Sequence, residues 1–336
     1  MAQDHSCDHH GVPFRSLSDH LAAVLAVGKP TTTRTVATEE SAGLVLAEDA
    51  RANLPVPPFS NSAMDGFLVR AADLPAGGGP WELPVSGDIP AGQTPVDVAP
   101  GTAVRIMTGA PTPVNTEGLM VVPVEDTNVP AGAVALPDKV VITTAHHDRT
   151  HIRHQGENCQ VGDVIAHAGT VIDAGVIASL LSTGVTSVEA YDRPTVAVIS
   201  AGDELVASVD SVDQLRPGTI PDSNRPMLAE LLREQGVAKV RSVVVDDNAA
   251  TFRKQLDALS RECDLVVTSG GVSAGAFDVV KEALTKPAAA GVTDMWFGPV
   301  QIQPGKPQGL GRVNDTPVIC LPGNPVSSFV CFYLFV

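Results

Sequence analysis

From Arg193 onward the chain repeats one pattern: a short apolar run, a polar or glycine-rich turn, then an amphipathic stretch. The apolar runs are TVAVIS (195–200), VRSVVV (240–245), DLVVTS (264–269) and PVICLP (317–322). TVAVIS is a continuous apolar β run, which suits a strand buried on both faces of a sheet. RPMLAELLREQ, preceded by Asn224 and closed by Gly236, reads as a helix, as do AATFRKQLDALSRE, the start FDVVKEAL, and NPVSSFVCFYL. Strands alternating with helices predict an α/β fold over 192–336, a doubly wound and mostly parallel sheet.

Upstream the pattern differs. Residues 1–13 are polar and His-rich and read as a disordered tail. A helix is expected from Ser18 to about Val27, with Ser18 as its cap, Gly28 as its end and Pro30 beyond. ATEESAGLVLAEDA (37–50) is a second amphipathic element, and Pro55, Pro57 and Pro58 forbid regular structure and mark a boundary. From about 60 to 150, β-prone runs (AVRIMT, LMVVPV, KVVITT) alternate with turns such as PAGGGP and IPAGQTP, which predicts an all-β module. A mixed segment follows to about 190.

Composition narrows the function. No run approaches the roughly 20 apolar residues of a membrane helix, and the start MAQDHSCDHHGVPF shows no signal peptide. Five scattered cysteines without CxxC spacing argue for a reducing cytoplasm and against a disulfide framework. A formal net charge of -16, with no Lys/Arg cluster, disfavours nucleic acid and anionic membranes as partners.

In an open parallel sheet, ligands bind outside the carboxyl ends of the strands. Four polar or glycine-rich turns fall there: Ser200–Glu204, Asp246–Asn248, Ser269–Asp278 and Pro322–Pro325. In the third, Gly270, Gly271 and Gly275 let the backbone approach a ligand, while Ser269 and Ser273 add hydroxyls. It matches neither GxGxxG nor GxxxxGK[ST], so a dinucleotide or nucleotide P-loop is not supported. The plainer reading, a tight strand-to-helix connection, stays open. Glu204, Asp246 and Asp278 are expected to converge and to hold Mg²⁺ against an anionic ligand. Helix N-capping is the alternative for Asp246 and Asp278. His5, Cys7, His9 and His10, and likewise His146, His147, His151 and His154, match no defensible zinc spacing. Trp81 and Trp296 read as packing residues.

SGGVSAGAFD, SAGDEL, PDSN and LPGNPVSSF resemble the C-terminal half of the molybdopterin molybdenumtransferase family (bacterial MoeA and the gephyrin E domain). That half is shared with molybdopterin adenylyltransferases and competence-damage-inducible proteins. PPFSNSAMDGF (57–67), IPAGQTP (89–95), VRIMTGAPTP (104–113) and IRHQGEN (152–158) resemble the molybdenumtransferases only. The resemblance covers roughly residues 14–336. It implies an elongated homodimer whose subunits have a linking domain (14–58 and 151–191), an inserted β domain (59–150) and a pterin-binding domain (192–336). The implied reaction inserts molybdate into adenylylated molybdopterin and releases AMP.

The resemblance also implies roles. Asp65 and Thr108 would face the partner subunit's pterin domain, and Arg153, Glu204, Asp246, Asp278 and Lys281 would belong to the site. Arg153, Lys281 and Lys306 would offset the charge of anionic substrates, with Pro322, Gly323 and Asn324 beside them. Molybdopterin adenylyltransferase and molybdoenzyme apoproteins are implied as partners. Pro299 and Gln303 stand where basic residues are expected, and Asn158 where an aspartate is common. The chain stops at Val336 within the helix after LPGNP, so the family's C-terminal β domain is expected to be missing, leaving apolar surface among Phe329, Phe332, Tyr333 and Phe335. A non-catalytic pterin-binding scaffold and an adenylyltransferase or pyrophosphate hydrolase are the alternatives.

Overall fold

Apolar runs without alternation need apolar partners on both sides, and the sheet they form supplies them. The computed structural model describes residues 13–208, 213, 215–272, 278–285 and 291–336. The chain divides into two compact units, Met1–Arg34 with Tyr191–Val336, and Thr35–Ala190.

The first unit is built on six strands: β1 (Thr195–Ala201), β2 (Lys239–Val245), β3 (Leu265–Ser269), β4 (Val292–Pro299), β5 (Pro307–Val313) and β6 (Thr316–Leu321). Their order across the sheet is 2-1-3-6-5-4. β2, β1, β3 and β6 run parallel, with Val196 opposite both Val240 and Leu265, and Val267 opposite Ile319. Successive β1 residues enter different cores. Ala197 and Ile199 pack with Phe252, Leu256 and Val280, while Val196 and Val198 pack with Leu228, Leu232 and Phe332. That division explains why the middle of TVAVIS, Val196 to Ile199, carries no polar position.

The antiparallel strands β4 and β5 are additions to the expected set. Their sequence hides them because Gly309 and Gly311 replace apolar residues: a Cβ there would lie 2.4 Å from Phe297 and 2.6 Å from Met295. The side chains of β4 fill the space that β5 leaves.

Among the described residues, five helices cover this sheet: α1 (Leu17–Val27), α2 (Asn224–Glu234), α3 (Ala249–Leu259), α4 (Val279–Thr285) and α5 (Pro325–Phe335). Ser16, not Ser18, caps α1, its hydroxyl accepting from the Asp19 amide at 3.0 Å. Although α1 was expected in the linking segment, Val24 packs in the sheet's own core. His20 is fully buried, with ring centroids 5.3 Å from Trp296 and 4.6 Å from Phe335, and the Arg15 guanidinium lies 3.6 Å over Trp296. On α5, Phe332 and Phe335 are buried, whereas Phe329 and Tyr333 are 43% and 58% exposed.

The second unit holds a five-stranded sheet in the order Leu119–Pro123, Gly66–Arg70, Ala103–Ile106, Trp81–Ile89, Lys139–Ile142. Phe67, Met120 and Val140 face one core of this sheet, and Leu68, Val104 and Val121 the other. A third core gathers Val36, Leu46, Ile172, Leu180 and Val188 beside the helix Ala174–Ser182. The amphipathic stretch 37–50 becomes a 3₁₀ turn, Thr38–Glu40, and two short strands, Val45–Leu46 and Ala50–Arg51. Among the described residues, Cys159, Cys263, Cys320 and Cys331 are free thiols, and no helix is long and apolar enough to cross a membrane.

His20 gives the first unit an acid-sensitive contact. Burial, reinforced by the Arg15 charge, lowers its pKa from 6.5 to about 4. A histidine depressed in the folded state stabilises it fully above the ordinary value, and the contribution falls as pH drops from 6.5 toward 4. The unfolding midpoint should therefore fall across that window in wild type, and this slope should shrink in His20→Gln. An unchanged slope in the variant would show that other groups produce it.

Candidate active site

β1 and β3 are neighbours whose chains leave in opposite directions, β1 toward β2 and β3 toward β6. Such a switch point opens a crevice at the carboxyl edge of the sheet. A cleft of about 270 Å³ lies there. Ala201, Gly202 and Glu204 line it after β1, and Asp247 after β2. Gly270, Gly271, Val272 and Asp278 line it after β3, and Pro307, Pro322 and Gly323 complete the wall.

Glycine is required in the turn after β3. Gly270 and Gly271 have φ of +91° and +65°, and a Cβ on Gly271 would lie 2.6 Å from Val280. The helix that follows, α4, can then pack close beneath the turn. Ser273 and Gly275 lie outside the described residues.

The carboxylates assemble differently from the expectation. Glu204 and Asp278 line the cleft, but Asp247 takes the place expected for Asp246. The cause is a reciprocal clasp between two turns: the Asp203 amide donates to Asp247 Oδ2 at 3.1 Å, and the Asp247 amide to Asp203 Oδ1 at 3.0 Å. Asn248 caps α3, accepting from the Ala250 and Thr251 amides, so Asp246 has no capping role either. Among the described residues, no group of three His, Cys, Asp or Glu side chains could hold a metal ion. Glu204 and Asp278 of the expected cation site line the cleft, and Asp246 does not.

The other expected residues divide. Ser269 is buried, its hydroxyl accepting from Asn224 Nδ2 at 2.7 Å. Asn324 caps α5, accepting from the Val326 and Ser327 amides at 3.0 and 3.2 Å. Lys281 is an exposed residue of α4. The Lys306 amine sits 4.5 Å over the Phe14 ring. Pro299 is buried at the end of β4, and Gln303 is exposed.

Asp65, Thr108 and Arg153 belong to the second unit. Gly66 fixes the local backbone, because a Cβ there would lie 2.0 Å from the Val122 carbonyl oxygen. The Gly109 amide donates to Ser62 O, and the Ser62 amide to Ala110 O, so the SAMDG and MTGAP segments lie side by side. In consequence Asp65 Oδ1 accepts from both the Thr108 amide at 2.6 Å and its hydroxyl at 2.8 Å. These two bonds, the amide first, hold the Asp65 carboxyl below the usual range. Arg153 is exposed, on a short strand paired opposite Asn61.

Residues 15–184 match the MoeA N-terminal region (domains I and II), and residues 197–336 match a probable molybdopterin binding domain. Over 327 residues the chain is 40% identical to molybdopterin molybdenumtransferase 2 of Mycobacterium tuberculosis, covering 96% of this chain and 78% of that one. It is 35% identical over 310 residues to the molybdopterin molybdenumtransferase of Haemophilus influenzae, covering 91% and 72%. The fold is similar to the crystal structure of the molybdopterin biosynthesis moeA protein of Pyrococcus horikoshii, with a TM-score of 0.75, 26% identity, and coverage of 96% of this chain and 77% of that one. The chain belongs to the molybdopterin molybdenumtransferase family.

In this molybdenumtransferase-family chain, the cleft falls in the segment that matches the molybdopterin binding domain. Of its lining residues, Ala201, Gly202, Asp247 and Val272 fall in turns that the sequence placed at this edge without singling them out, and Pro307 falls in none of those turns. Asp247 could have been found from Asn248. Once Asn248 is the cap, both aspartates of the pair fall in the turn and only the register separates them. No sequence signal marks Pro307, which reaches the cleft from a strand the pattern does not show.

The Asp65–Thr108 contact makes a direct prediction. A carboxylate with a depressed pKa stabilises the fold fully above the ordinary range near 4. That contribution is lost as pH falls through the lowered value. In Thr108→Val the Asp65 pKa, followed by NMR of its carboxyl carbon, should rise toward the ordinary range. A value unmoved by the substitution would show that the hydroxyl contributes nothing.

Proposed function

We propose that this chain inserts molybdate into adenylylated molybdopterin, with release of AMP, at the cleft on the carboxyl edge of the α/β unit. The supporting observation is a switch-point cleft walled by three glycine-containing turns, within the segment matched to molybdopterin binding. Glu204, Asp247 and Asp278 face it, and carboxylates accept from the N–H groups of a pterin ring. They repel oxyanions, so the phosphates and molybdate are oriented toward the backbone of the Gly270–Gly271 and Pro322–Gly323 turns. Lys281 and Lys306, on the same unit as the cleft, would offset the remaining charge. The reaction breaks a phosphoanhydride, which needs positioning and electrostatic stabilisation rather than a covalent nucleophile. The expected Mg²⁺ does not find three side-chain ligands among the described residues, and no step is assigned to it.

The test mixes purified protein with adenylylated molybdopterin and molybdate, with and without Mg²⁺, and measures AMP release and protein-bound molybdenum. Both should appear together, and Asp278→Ala should slow them by about a hundredfold. AMP without bound molybdenum would indicate a hydrolase. Tight pterin binding without AMP would indicate a scaffold.

We further propose that the active form is a homodimer in which Asp65 and Thr108 serve the partner subunit's site. An exposed apolar stripe on α1 supports an additional interface: Leu17, Leu21 and Leu25, four residues apart, are 40%, 42% and 72% exposed. Mixing Asp65→Ala and Asp278→Ala chains should restore activity, because one of the two sites in each mixed dimer is intact. Verified heterodimers without recovered activity would argue for sites built within one chain.

A further inference from the structure

PDSN (221–224) lines no part of the cleft, yet its asparagine joins two of the turns that do. Asn224 is buried, with 9% of its surface exposed. Its Nδ2 donates to Ser269 Oγ at the end of β3 and to the Gly323 carbonyl beyond β6, each at 2.7 Å. The amide orientation is fixed by chemistry, since a carbonyl oxygen can only accept and the nitrogen must face Gly323. Both amide hydrogens are thereby used, and Asn224 Oδ1 is left buried without a hydrogen bond. A position needed only for packing would favour an apolar residue over this cost.

Two further features show that the side chain is committed to this bridge. Asn224 opens α2, where asparagine commonly caps, but the cap position falls to Ser223, whose side chain makes no capping hydrogen bond. Its loop is also anchored: the buried Asp222 carboxylate accepts from Ser200 Oγ at 3.2 Å, from the Arg225 amide at 3.1 Å and from Arg225 Nε at 3.0 Å. The network continues from Ser269 Oγ, 3.5 Å from Ser328 Oγ, and Ser328 donates to the Pro322 carbonyl.

We propose that Asn224 is a positioning residue that sets the spacing between the Gly270–Gly271 turn and the Pro322–Gly323 turn, and so the width of the cleft. The inference rests on the reading of this cleft as the molybdopterin site for its effect on binding, but not for the clamp itself. Asn224→Asp keeps the shape and, when ionised, removes both donors and places an acceptor against Gly323 O. Its two bonded partners, Ser269 and the Gly323 carbonyl, do not titrate in the working range. The charged groups of its own loop, Asp222 and Arg225, are bonded to each other.

The experiment has two readouts on wild type, Asn224→Asp and Asn224→Ala. The first is amide hydrogen exchange over 269–272 and 322–324 without ligand. The second is the Kd for molybdopterin at about pH 6 and about pH 8, where a buried carboxyl passes from neutral to ionised. Exchange at both turns should be faster in both variants. Asn224→Asp should bind about tenfold more weakly at the higher pH, as expected for lost hydrogen bonds, and recover toward wild type at the lower, where the acid can donate to Gly323 O. Asn224→Ala should be weakened equally at both, a pattern that a general loss of structure does not produce. Wild-type exchange at both turns in both variants would overturn the clamp. Faster exchange with unchanged Kd at both pH values would overturn its role in the site. If wild type itself fails to bind molybdopterin, the site reading fails, and exchange alone decides the clamp.

Discussion

The site depends on a sheet whose central strands are buried on both faces. Ala197 and Ile199 of β1 serve one core while Val196 and Val198 serve the other, so the middle of the strand is committed to packing. No functional side chain can stand on such a strand without leaving a polar group in an apolar core. Chemistry is displaced to the strand ends, and parallel direction gathers four of those ends on one edge. The cleft follows from that arrangement and from the opposite departures of β1 and β3.

What the edge then requires is close approach between turns, and glycine supplies it. Gly271 lies where a Cβ would strike Val280, and Gly323 lies against Gly270. Glycines, however, leave backbone free to move. Polar side chains from beneath restrain it: Asn224 between β3 and Gly323, Ser328 on the Pro322 carbonyl, and the Asp203–Asp247 clasp between the turns after β1 and β2.

Much of this was legible from residue order. The parallel strands β1, β3 and β6 announced themselves because a strand buried twice reads as a largely apolar run, and the glycine turn announced its own backbone. The antiparallel pair did not, because β5 substitutes Gly309 and Gly311 for apolar residues and borrows the bulk of Phe297 and Met295. Its pattern exists only across two strands. Asp247 was missed for a related reason: which of two adjacent aspartates turns inward is decided by amides on another loop. The home of α1 was missed because its buried residues, His20 and Val24, pack against partners near the far end of the chain. Local pattern carries one-body information, and these features are set by pairs.

Charge placement separates stability from positioning in the same unit. The Asp222 side chain is 1% exposed and paired with Arg225, itself only partly exposed. Buried ion pairs seldom stabilise a fold more than apolar residues of the same shape, because desolvation of both groups offsets their attraction. Removing one partner is far more damaging, since it leaves the other charge uncompensated. The pair therefore adds little net stability but holds its loop in one arrangement, with Ser200 of β1 bonded to the same carboxylate. The Asp203–Asp247 clasp works alike. Two like charges face each other across a gap, which costs energy, and each is compensated by a backbone amide. Both devices trade stability for geometry, and both occur at the carboxyl edge of the sheet, where the cleft needs geometry most.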